Sequence, residues 1–89
     1  MYLNDKINKG GEIKQQGDFF NEGQPFYVFV MPITEEAASS VVINAKLSYN
    51  KEAIEFPFIA NFWNPVVVNS INITQEILTN YRVFYGMEG

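Results

Sequence analysis

From Phe26 to Met31 the segment Pro25-Phe-Tyr-Val-Phe-Val-Met31 carries a ring or an aliphatic side chain at every position. A short β-branched and aromatic run closed by Pro32 predicts a strand. Successive strand side chains point to opposite faces, so Phe26, Val28 and Val30 share one side and Tyr27, Phe29 and Met31 the other. A small two-layer sandwich hides one face of each strand and leaves the other to water. A strand apolar on both faces therefore calls for a second cover, and Val66-Val67-Val68 poses the same demand. That cover is the chain's own N-terminal segment, another copy or a different protein, because large uncovered apolar patches are uncommon on monomers.

The rest of the code is also β. Ser40–Tyr49 alternates, with Ile43, Ala45, Leu47 and Tyr49 opposed to Asn44, Lys46 and Ser48. Glu52–Ala60 alternates as Ile54, Phe56 and Phe58 against Glu55, Pro57 and Ile59. Pro57 cannot donate to a ladder, which places this strand at an edge or at a bulge. Pro65–Ile73 and Asn80–Gly86 complete the set, the first opened by a proline where one is tolerated. Thr34–Ser39 and Thr74–Thr79 each have room for about one turn of helix, with Thr34 as a candidate N-cap. Eighty-nine residues allow a single domain. The expectation is an all-β fold: a small antiparallel β-sandwich or open barrel of about five to six strands.

Residues 1–24 differ from the remainder. They hold Lys6, Lys9 and Lys14 against Asp5, Glu12, Asp18 and Glu22, and four of the six glycines, without apolar periodicity. This segment is expected to be an extended N-terminal arm with one short strand near Glu12–Gln16, lying across a neighbour, and residues 25–89 to be the single β domain.

Composition narrows the chemistry. There is no Cys and no His, so disulfides, thiolate chemistry and the usual general base are all excluded. Glu35-Glu36, Glu52 with Glu55, and Asp18 with Glu22 lie in polar surroundings and not inside an apolar run, and no calcium-loop spacing is present. Catalytic residues, metal ligands and cofactors are therefore expected to be none. Net charge is −4 with Arg82 as the lone arginine, which argues against a nucleic-acid partner. No apolar run approaches the ~20 residues of a membrane-spanning helix, and no membrane partner is expected. Asn72-Ile73-Thr74 matches a glycosylation sequon, a triplet that arises often by chance.

What remains is aromatic. Ala60-Asn-Phe-Trp-Asn-Pro65 presents Phe62 and Trp63 side by side, with Asn61 and Asn64 suited to turns and side-chain-to-backbone hydrogen bonds. These rings either plug the end of the sandwich or anchor a partner, Trp being typical of interface hot spots. The expected partner-interface residues are Phe19, Phe20, Phe26, Phe29, Phe62, Trp63 and Tyr85. A rival reading is a small carbohydrate-binding module in which Trp63, Tyr81 and Tyr85 form an exposed ring platform.

The stretch Phe-Pro-Phe-Ile…Asn-Phe-Trp-Asn-Pro-Val-Val-Val-Asn-Ser-Ile, followed by a terminal Tyr-Arg-Val-Phe-Tyr-Gly strand, resembles small structural proteins of tailed-bacteriophage virions. Capsid decoration, head-fibre-base and spike-base modules of that type are compact β-sandwiches. The resemblance spans about residues 52–86 and rests on strand pattern, so no functional residue is carried over. It implies a non-enzymatic structural subunit present in many copies, binding itself or a larger scaffold protein of the virion. Its location would be the virion, or the cytoplasm if the phage resemblance fails.

Overall fold

The computed structural model describes residues 7–88. Its elements are β1 (Ile7–Ile13), β2 (Gly17–Phe20), β3 (Tyr27–Pro32), β4 (Ser40–Leu47), β5 (Ile54–Ile59), β6 (Val68–Ile73), α1 (Gln75–Asn80) and β7 (Tyr81–Glu88). Two antiparallel sheets pack together, one in the order β1-β7-β3 and the other in the order β2-β6-β4-β5. The all-β expectation holds, with seven strands in place of five to six.

The two additional strands come from the segment expected to be an arm. β1 pairs along β7, with Gly10 opposite Gly86, Glu12 opposite Phe84 and Ile13 opposite Val83. β2 pairs with β6, Phe19 opposite Ile71. Ile13 is 4% exposed and belongs to the core. Residues 7–20 are thus built into both sheets and do not lie outside the domain, while residues 1–6 fall outside the described range. The expected strand at Glu12–Gln16 is instead the end of β1 and the turn into β2. The apolar code is sparse here because both strands are edges, where glycine, lysine and short length suffice and discourage further pairing. Gly10 is required by its surroundings: a Cβ there would collide with the Tyr85 carbonyl oxygen, and φ is +155°.

Alternation decides what is buried. Val28 and Val30 on β3, with Tyr81 and Val83 on β7, face Ile43, Ala45 and Leu47 on β4, Phe58 on β5, and Ile71 and Ile73 on β6. The Tyr81 hydroxyl is satisfied by donating to the Ala38 carbonyl at 2.8 Å. Phe58 is fully buried, and Phe58→Ala should lower stability by about 3–5 kcal/mol, checked by denaturant titration. β5 lies at the end of its sheet, which is where Pro57 required it to be.

One helical segment forms and one does not. Thr74 caps α1 by accepting from the Ile77 N–H at 3.2 Å, and Ile77 is buried against the core. Thr34–Ser39 makes only a turn, with Ala37 N–H donating to the Thr34 carbonyl at 3.3 Å. It has no comparable apolar anchor, and a single turn does not hold itself together. β6 starts at Val68, three residues later than expected, because Pro65–Val67 is spent crossing back from the opposite sheet.

Along one side the sheets are joined. Phe26 and Val68 exchange both backbone hydrogen bonds, at 2.9 and 2.8 Å, and Val30 bridges Ala60 in parallel. The sandwich is therefore bridged where β3 meets the ends of β5 and β6, while β1 and β2 are the end strands on its other side.

Candidate functional site

The outer face of the three-stranded sheet carries the second apolar set that the sequence demanded. Tyr27, Phe29 and Met31 on β3 are half-buried, alternating with fully buried Val28 and Val30. Phe84 lies opposite Phe29 in register, and Gly86 lies opposite Tyr27. The Phe29 and Phe84 ring centroids are 6.2 Å apart at 73°, an edge-to-face contact. At one end the Arg82 guanidinium sits 5.2 Å from the Phe84 ring centroid.

Trp63 reaches this face from the loop between β5 and β6. Its ring stands edge-on to Phe29 at 5.4 Å and 62°. It rests on Gly86, where an added Cβ would come within 2.7 Å of the indole and would also collide with Ile7. The missing side chain at Gly86 is therefore what lets Trp63 and Ile7 lie over the sheet. Trp63 neither plugs the end of the sandwich nor stands free: it covers bare backbone on the outer face and remains half-buried.

The loop is fixed from beneath. Asn61 adopts a left-handed conformation (φ 71°), and its N–H donates to the Val30 carbonyl at 2.9 Å. Asn64 is buried at 3% exposure, and its backbone N–H and side-chain Nδ2 both donate to the Val28 carbonyl, at 3.1 and 3.2 Å. Two shallow hollows flank the loop. One, of about 330 Å³, has Gly10 and Gly11 on its floor and Trp63, Phe84 and Ile7 on its walls. The other, of about 350 Å³, is lined by Phe56, Pro57, Ile59, Phe62, Pro65 and Val66. It continues into exposed Val42 and Ile59 on the outer face of the four-stranded sheet.

Charge at the site is one ion pair. Arg82 Nη2 and Nε donate to the two oxygens of Glu12, at 2.8 and 3.0 Å. Those hydrogen bonds hold the Glu12 carboxyl below its ordinary value of 4.5, with the charges of Arg82 and Lys14 adding to the effect. Its folded pKa being lowered, the pair's contribution is present above pH 4.5 and is lost as pH falls through the lowered value. Glu12→Gln should leave the neutral-pH melt nearly unchanged, since exposed pairs contribute little, and should make the melt less sensitive to acid. Among the described residues no cluster of three or more Asp or Glu is placed to hold a metal ion.

The seven expected interface residues divide into three groups. Phe26 is a correction: at 1% exposure it is core, because the bonds to Val68 turn its side chain between the sheets. Phe19 and Tyr85 pack against it from the inner faces, with Phe19 centroids 5.4 Å from Phe26 and 4.7 Å from Tyr85. Phe20 points outward from β2 and is 64% exposed. Phe29 and Trp63 meet on the outer face, and half-buried Phe62 lines the second hollow. The ring platform of the carbohydrate reading does not form: Tyr81 is buried and Tyr85 faces inward, leaving Trp63 without them. Tyr27, Met31 and Phe84 were missing from the expected set, although the alternation of β3 already placed Tyr27 and Met31 on the same side as Phe29; Phe84 joins them only through the pairing of β7 with β3. The Glu12–Arg82 pair, 70 residues apart in the chain, had no sequence signal.

No family model matches the chain, and no curated protein or solved structure shows significant similarity to it.

Proposed function

We propose that the protein is a non-enzymatic structural subunit that works in many copies and binds its neighbours through the apolar outer face of the three-stranded sheet. The observation that carries this reading is the sheet's two-sided apolar character. With Val28 and Val30 fully buried inside, Tyr27, Phe29, Met31, Phe84 and Trp63 still present rings and aliphatics on the outside. Such a face supplies contact area and shape, with the Tyr27 hydroxyl, the Trp63 N–H and the Glu12–Arg82 rim as its polar groups. Apolar faces of this kind on small domains mark protein contacts. The setting is a tailed-phage virion, in a decoration or fibre- and spike-attachment role, a reading supported by the resemblance of residues 52–86 to such proteins.

Phe29 sits at the centre of the face, touching both Trp63 and Phe84. Phe29→Asp places a charge there without entering the inner core. Sedimentation across a range of concentrations should show association in the wild type and its loss in Phe29→Asp, with the β spectrum retained. Particle-associated mass spectrometry tests the virion setting. A wild type that stays monomeric and is absent from particles would remove this reading.

A further inference from the structure

We propose that the Asn64 side chain is an edge lock: it stands in for a missing strand between β3 and β5 and keeps their seam closed to a strand of another copy. At Ile59 the carboxamide makes both bonds of a neighbouring strand residue, accepting from the N–H at 2.9 Å and donating to the carbonyl at 3.1 Å. The same Nδ2 reaches across to the Val28 carbonyl on the edge of β3, at 3.2 Å. One buried side chain thus occupies edge groups of both sheets. Turning the amide over would aim its oxygen at the Val28, Ile59 and Phe62 carbonyls, so the network fixes its orientation. The flanking positions complete the seal. Pro57, two residues earlier on the same edge of β5, has no N–H to offer, and the Val30 carbonyl is taken by Asn61.

Without the amide, the Ile59 N–H and carbonyl would stand unpaired beside the apolar hollow formed by Phe56, Phe62 and Val66, while the Val28 carbonyl would keep only the Asn64 backbone N–H. Such groups recruit extended chain. The occupant is a second copy, because every copy carries its own edge strand in β1, seven residues that among the described residues are bonded to β7 on one side only.

Two substitutions test the lock. Asn64→Leu keeps a side chain of similar size and removes every side-chain bond. It should retain the β spectrum, speed hydrogen exchange at the Ile59 amide by about tenfold or more, and form concentration-dependent species larger than the wild type's. Asn64→Asp removes the donors at neutral pH. Burial against carbonyls raises this carboxyl's folded pKa, so the defect should be full at neutral pH and should recede, relative to wild type at the same pH, as acid restores one donor. If Asn64→Leu does not fold, the pH series of Asn64→Asp decides. The larger species should persist in the Phe29→Asp background, which separates the lock from association through the outer face. Wild-type protection of Ile59 with wild-type sedimentation in the leucine variant, or an aspartate variant whose difference from wild type does not change with pH, would overturn the lock.

Discussion

A chain lacking residues 1–20 is expected to lose its cooperative melt and its native β spectrum at room temperature. The truncation removes β1 and β2 together, leaving one sheet with β7 and β3 and the other with β6, β4 and β5. It strips Ile13 from the core and Phe19 from its packing against Phe26 and Tyr85. It also opens the backbone edges of β7 along Val83–Glu88 and of β6 along Ser70–Ile73. Loss of a buried Ile and a packed ring costs on the order of 5 kcal/mol before the unpaired backbone is counted. That is comparable with the whole stability of a small domain, about 5–15 kcal/mol. Circular dichroism and a thermal melt of the truncated chain read the outcome. A wild-type melt with weakened association would instead restore the arm reading of residues 1–24.

The second large effect is expected at Trp63, where folding and association should both respond but unequally. Its indole is half-buried against Phe29 and the bare backbone of Gly86, so Trp63→Ala should cost about 2 kcal/mol of stability, less than the ~3–5 of a fully buried ring. If the outer face is the contact surface, the same substitution should weaken association by about 2–4 kcal/mol, roughly 30- to 1000-fold. Melts across a concentration range separate these effects, since folding coupled to assembly makes the melting temperature concentration-dependent. Gly86→Ala gives an independent check. Its Cβ displaces the indole, and Trp63 is the sole tryptophan, so the emission maximum should shift toward that of exposed indole. Emission unchanged in Gly86→Ala would show that the ring does not rest there.

Much of the fold was legible because strand side chains repeat every two residues. The alternation in Ser40–Tyr49 placed Ile43, Ala45, Leu47 and Tyr49 on one face; the first three are buried, whereas Tyr49 lies past the end of β4 and is exposed. Pro57 assigned its strand to an edge through a missing donor, and β5 is an edge. Asn61 and Asn64 were recognisable as loop-shaping residues by their side-chain chemistry, and both hold the loop to β3. The strands of residues 7–20 were not legible. Edge strands need little apolar code, and their pairing with β7 and β6 is a contact across fifty or more residues of chain.

The composition and periodicity of this chain determined an all-β domain with strands apolar on both sides, because burying alternate residues is a local property of the strand. Which of two apolar sides faced inward was a tertiary matter. Phe26 and Phe29 carry the same side chain three residues apart, yet one is enclosed by its bonds to Val68 and the other lies on the outer sheet face. Tertiary structure also decided what Trp63 covers, since a glycine at position 86 admits an indole only once β7 has been laid beside β3. The same holds for Asn64, whose four acceptors and donors come from β3, β5 and its own loop and meet only when the two sheets close. A side chain's identity sets what bonds it can make, whereas the partners are supplied by segments that the chain brings together only on folding.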